Sequence, residues 1–385
     1  MYDLVVKSGL LIDPSQGIHE NMDLAASDGK VEAVERSISE SHAKRVVDAS
    51  GMIVVPGLVD IHTHTAYNLV RLAIDPERAC LLKGTTTAVD AGSTGELLYP
   101  AFEQLVINRN RTRILTFLNI ESLGMIEFGD FPPKYTDQEW PGLLTALDEF
   151  FIPLFINIEN TIEVVRQNRD TIVGVKWAHH GPRGLSLARE TADEIGCMLM
   201  IENHHMPEAL KYVKKGDLIT HIYHHAFNSL THRYDGLTDD GSIYPEFHEA
   251  VKRGVLLDVG HGKGGFSWKI AELALKEGLK PHCISTDLWV GNINGPVYDM
   301  PTTMAKFLHL GMTLEEVVEA STATPATALG KAGQIGTLKA GACADATVFK
   351  LQEGRFPLVD TGGEGRVGTQ MLIPIHVIRG GEVIT

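Results

Sequence analysis

The chain has 385 residues, 44% hydrophobic and 22% charged, which describes a globular protein able to bury a large core. With 49 acidic against 34 basic residues the net charge is −15, and no Lys/Arg block occurs, so nucleic acid and anionic membrane are poor partners. No run reaches the roughly 18 apolar residues that span a bilayer. Without a basic region leading into an apolar run, and with Cys80, Cys197, Cys283 and Cys343 dispersed, the expected protein is cytoplasmic with reduced thiols.

In chain order, the first fifty residues alternate apolar and polar around turn signals such as Asp28-Gly29, and so predict short antiparallel strands. The last fifty do the same, for example over Ala344–Phe349 and Ile375–Arg379. Neither end offers enough apolar surface for a core of its own. Both are therefore expected to pack as one small β-sandwich domain, residues 1–55 with 335–385. Between them lie eight apolar runs rich in Val, Ile and Thr: Ile53–Ile61, Thr85–Asp90, Arg113–Ile120, Ile172–Trp177, Cys197–Asn203, Leu218–Ile222, Val255–Gly260 and Cys283–Asp287. Helical segments separate several of them, among them Pro207–Lys215, Ile270–Glu277 and Thr313–Ser321, the last opening with capping-box spacing. The long 121–170 stretch reads as an extended loop followed by helices. Eight buried strands alternating with helices predict an α/β fold, a (β/α)8 TIM barrel over residues 56–334. A doubly wound open sheet is the competing architecture.

Polar residues of metal-ligand type stand at the ends of these runs. His62 and His64 are two apart, so on a strand both imidazoles face one side and can chelate a single divalent ion. Two exposed histidines would be the plain alternative. Lys176 is a lone ammonium in an apolar strand, which demands pairing, neutralisation or modification. His221 and Asp287 end two further runs. Any one of these residues could be a satisfied core polar group. Four such strand ends together point to a site, because barrel catalytic groups gather at the C-terminal ends of the strands.

The segment Val55-Pro56-Gly57-Leu58-Val59-Asp60-Ile61-His62-Thr63-His64 closely resembles the first-strand motif of the amidohydrolase superfamily. Gly84–Ser93, Asp258–Gly262, Ser285–Leu288 and Gly336–Gly341 are similar to its dihydroorotase-like and amidohydrolase/deacetylase members, so the resemblance spans nearly the whole chain. It implies two divalent metal ions, zinc first with manganese or iron as alternatives. His62 and His64 would bind one metal and His221 the second. Lys176 would carry a carbamate bridging both, and Asp287 would be ligand and proton shuttle. The family's fifth-strand histidine is replaced by Glu202. Glu202 could ligate the second metal, or bridge both metals beside an unmodified Lys176, or yield its place to His204. An added carboxylate would make the metals weaker Lewis acids and favour harder ions.

The implied activity is hydrolysis of a small amide, cyclic amide or ester by a hydroxide held between the metals, with Asp287 moving the proton. His261, Lys263, Arg183 and Asn292 are candidate substrate contacts in loops after strands, as are His179, His180, His224, His225 and His232. The Gly260–Gly265 segment lacks Walker spacing and is not read as a phosphate loop. The rivals are a one-metal deaminase of a heterocycle and a non-catalytic interaction protein. The expected partner is a small-molecule substrate, with a homo-oligomer left open.

Overall fold

The structure, a computed structural model, describes residues 1–125, 155–178, 182–203, 206–224, 227–228, 233–234, 237–239 and 242–385. The first apolar run does not form one strand. It breaks at Gly57, whose N–H donates to Asp345 O at 2.9 Å and where a Cβ would lie 2.1 Å from Thr86 Oγ1. Only glycine permits that approach. Ile53–Pro56 therefore joins one sheet and Leu58–Thr63 starts another.

The second sheet is parallel, and its strands lie side by side in sequence order: Leu58–Thr63, Thr85–Gly95, Arg113–Asn119, Ile172–Trp177, Met198–Ile201, Leu218–Ile219 and Leu256–Leu257. The eighth run forms no regular strand. It instead bridges the two edges of the sheet, pairing Cys283 with Asp258 and Leu288 with Thr63. Hydrogen bonds from Val259 N to Cys283 O (3.0 Å) and from Asp287 N to His62 O (2.7 Å) stitch it to both sides. The sheet is thus curled, with the C-terminal ends of its strands on one rim.

Alternation along the strands decides what faces inward. Val175, Trp177, Leu199 and Ile201 cluster with Leu185, Ala188 and Ala192 of the helix Pro182–Ile195. Lys176 and Glu202, one residue out of phase, consequently turn to the opposite side of the sheet. Helices Pro245–Lys252, Trp268–Lys276, Met300–His309 and Leu314–Ala320 follow the later strands. The last carries the expected capping box, Glu316 N to Thr313 Oγ1 at 3.2 Å and Thr313 N to Glu316 Oε2 at 2.9 Å. The helix expected at 207–215 is a single tight turn, Glu208–Lys211. Of the 121–170 stretch, residues 126–154 lie outside the described residues, and a helix spans Ile158–Gln167.

The two chain ends meet in one continuous eight-stranded mixed sheet, in the region expected to form a small β-sandwich domain. The reason is Ile53–Pro56, which pairs with Leu10 and Leu11 on one side and with Ala346–Phe349 on the other. A single ladder therefore runs through both halves. Among the described residues, no helix is long and apolar enough to cross a membrane.

Candidate metal centre

Five elements deliver side chains to the rim. His62 and His64 come from the end of the first strand, Lys176 from the fourth, Glu202 from just past the fifth, and His221 from just past the sixth. Asp287 comes from the edge-bridging segment. All six residues are buried or nearly so, and Lys176 is fully so. One ligand atom each from His62, His221 and Asp287 falls within 4.8 Å of the others. Asp287 Oδ1 lies 3.0 Å from His64 Nε2 and 3.4 Å from His62 Nε2. The His62 and His221 rings are 5.0 Å apart between centroids.

Each imidazole is oriented through its Nδ1. His62 Nδ1 bonds Thr220 Oγ1 at 2.8 Å, and that hydroxyl donates to Asp258 Oδ2 at 2.7 Å. Since the hydroxyl proton is spent on Asp258, His62 carries its own proton on Nδ1 and leaves Nε2 a free lone pair. His64 Nδ1 meets Ser93 Oγ at 2.9 Å, and His221 Nδ1 donates to Gly260 O at 2.6 Å. Burial, aided by the nearby Lys176 charge, pushes the His62 imidazole well below its usual pKa, so it stays neutral, the form that ligates metals. For His221 burial acts downward, but the carboxylates of Glu202 and Asp287 outweigh it and hold the pKa above normal. A cation is what those carboxylates call for.

The backbone adds a second sign. His221 (φ 60°) and Asp287 (φ 48°) both occupy the left-handed region, which is uncommon for any residue but glycine even though Asp and His enter it more readily than most. Such strain persists only where the surroundings over-determine it, and it collects at functional sites. Gly262 packs against Asp287 so closely that a Cβ there would lie 2.2 Å from Asp287 Oδ2. Beneath the rim, Asp60 accepts from Thr286 Oγ1 (2.5 Å), Thr286 N (3.1 Å) and His62 N (3.3 Å). Burial raises its pKa to about 7 and that of Asp258 to about 6.

Lys176 Nζ lies 3.4 Å from Glu202 Oε1 and makes no hydrogen bond among the described residues. Gly92 gives it room, since a Cβ there would sit 2.8 Å from Lys176 Cγ. Glu202 Oε1 is also 3.8 Å from His221 Nε2, so this carboxylate stands between the lysine and the histidine. His204 lies outside the described residues, as do His179, His180, His225 and His232.

The residue range 53–383 matches the model of the amidohydrolase family. The chain belongs to that family. A deacetylase of Brucella anthropi is 30% identical to this amidohydrolase over 373 residues, covering 94% of this chain and 87% of that one. A deacetylase of Enterococcus faecalis is 30% identical over 395 residues, with 99% of each chain covered. Among solved structures, that of an adenine deaminase superposes with a TM-score of 0.86 at 29% identity, over 100% of this chain and 99% of the other. That of a dihydroorotase gives 0.83 at 27% identity, over 100% and 98%.

The structure brings together the six residues expected as ligands. It separates the expected substrate contacts. His261 is fully buried, with Nδ1 on Gly262 O (3.1 Å) and Nε2 on Lys306 Nζ (2.5 Å), so this amidohydrolase does not offer it to a substrate. Asn292 is equally committed: its Nδ2 donates to Asp287 O at 2.7 Å and its Oδ1 accepts from Trp289 N at 3.0 Å, which ties down the Asp287 loop. Lys263 is exposed, its Nζ 5.9 Å from the centre of the Trp289 ring. The side chain of Arg183 lies outside the described residues. Sequence reasoning missed Thr220, Ser93, Asp60 and Asp258 as supports. Asp60 was legible, being in phase with His62 and His64 on one strand; Thr220 and Ser93 carry no such signal.

Proposed function

We propose that this amidohydrolase is a metal-dependent hydrolase that cleaves a carbon–nitrogen bond of a small amide or cyclic amide, with a carboxylic ester as a further substrate class. The observation that carries this reading is the convergence of His62, His64, His221 and Asp287 in one cluster beside a buried Lys176 that makes no hydrogen bond among the described residues. We read the curled sheet as a (β/α)8 barrel of residues 56–334, flanked by a domain of residues 1–55 and 335–385. On this reading two divalent ions, zinc in the first place, are held by His62, His64, Lys176, Glu202, His221 and Asp287. Lys176 faces Glu202 at ion-pair distance but makes no hydrogen bond among the described residues. A buried ammonium held only this way is costly, so Lys176 is assigned a carbamate, an anion that two bound cations would stabilise.

Bound metal would supply Lewis acidity at the substrate carbonyl and lower the pKa of water. The protein's own groups do the rest. His62 and His64 fix their Nε2 atoms through Thr220 and Ser93. Asp287, positioned by Asn292 and Gly262, accepts a proton from the attacking water and returns it to the departing nitrogen or oxygen. Exchange of a ring amine for water by one metal is the second reading, supported by the likeness to the adenine deaminase structure.

Metal analysis of the purified chain, with assays on N-acyl amino acids, cyclic imides, acylated hydroxy acids and aminopurines, separates them. Two metals per chain and acid release without ammonia support hydrolysis. One metal and ammonia release support deamination. A folded chain that takes up no divalent metal refutes both.

A further inference from the structure

Helix Met300–His309 carries a lysine, Lys306, that is fully buried and, among the described residues, forms no ion pair with a carboxylate. Its Nζ has three acceptors: His261 Nε2 at 2.5 Å, Val359 O at 2.7 Å and Pro296 O at 3.0 Å. An ammonium has three protons to give, so all of them are used and His261 must accept at Nε2 and carry its proton on Nδ1. The Nδ1 contact to Gly262 O suits that tautomer. Phe266 closes the pocket, stacked on the His261 ring at 4.8 Å and lying 5.5 Å from Nζ.

His261 is the middle residue of a short brace. On one side Gly260 O receives His221 Nδ1, and Gly260 N donates to Ser285 Oγ at 2.8 Å. On the other side Gly262 N donates to Thr286 O at 2.9 Å, and its bare α-carbon abuts Asp287. Two of the three clustered ligands therefore lean on this tripeptide. Both glycines have positive φ (47° and 50°), a conformation with little intrinsic persistence that must be imposed from outside. The tether also reaches the sheet built from the chain ends. Val359 closes the strand Ala346–Val359, and the next residues dock on the barrel loop through Thr361 N to Phe266 O (3.0 Å) and Trp268 N to Asp360 Oδ2 (3.2 Å).

We propose that Lys306 is a positioning residue of the metal centre: gripping His261 from behind, and anchored on Val359 and Pro296, it sets the Gly260–Gly262 backbone that aims His221 and Asp287. Burial lowers the Lys306 pKa to about 7, which reflects the cost of placing an ammonium here. The inference rests on the reading of His221 and Asp287 as ligands.

The test uses the full chain, zinc alone as the probe, and two variants. Lys306→Met keeps length and volume without the donor; His261→Phe keeps the stack on Phe266 without the acceptor. Zinc affinity is read by competition with a chromophoric chelator, and histidine tautomers by nitrogen NMR of 15N-histidine-labelled protein. Both variants are expected to bind zinc about tenfold more weakly, the lower end of the loss seen for groups that orient metal ligands. Both should also shift the His221 nitrogen resonances, and the double variant should lose no more than the weaker single. A folded variant with wild-type zinc affinity and an unmoved His221 signal overturns the inference while leaving the proposed function standing. A wild-type chain that binds no zinc overturns the proposed function itself.

Discussion

Thr220 takes the Nδ1 proton of His62 at 2.8 Å while giving its own hydroxyl proton to Asp258. The relay makes the threonine a one-way switch for the imidazole tautomer. Thr220→Val, nearly the same shape, removes the acceptor and frees His62 to protonate at Nε2, the atom that faces Asp287. Zinc affinity should fall about 10- to 100-fold, and Thr220→Ser should restore most of it. Equal affinity of the valine and serine variants would show that the tautomer is set elsewhere.

In the proposed function Asp287 is the carboxylate that moves the proton. Asp287→Asn keeps the shape and the Gly262 contact but cannot accept a proton at neutral pH. Turnover should drop about 10²- to 10⁴-fold with metal retained, as measured by elemental analysis alongside the assay. Substantial residual turnover would remove Asp287 from the proton path.

Lys176 and Glu202 offer a chemical test of the carbamate. Zinc-loaded protein supplied with [13C]bicarbonate should show one carbamate carbon resonance, and Lys176→Met should lack it and bind fewer zinc ions per chain. Full zinc occupancy without that resonance would leave Lys176 an amine and make Glu202 the bridging anion.

Lys306 predicts a pH dependence of stability. Its folded pKa is about 7 against 10.5 when exposed. Below pH 7 both folded and unfolded chains carry the proton, and the burial cost stands in full. Between the two values the unfolded chain still holds a proton that the folded one has released, so stability rises with pH across that window. The neighbouring groups that tune it are His261 and Asp360. Measured by urea denaturation of metal-free protein, wild type should gain on Lys306→Met as pH rises above 7. A constant difference would mean that the ammonium keeps its proton throughout.

Much of this protein is local in character and was open to inspection in the chain. The period-2 pattern put His62 and His64 on one face, the lone Lys176 in an apolar strand announced a special environment, and the Thr313–Glu316 cap marked a helix start, all because side-chain direction follows from backbone repeat. Other features depend on segments far apart. The break at Gly57 is forced by Thr86 and Asp345. The single terminal sheet exists because Ile53–Pro56 finds partners at both chain ends. His261 and Asn292, polar residues in loops, looked like substrate contacts, yet Lys306 and the Asp287 backbone claim them. Hydrogen bonds between residues distant along the chain have no periodicity to betray them, so only the folded arrangement could decide which polar groups face the pocket and which hold its walls.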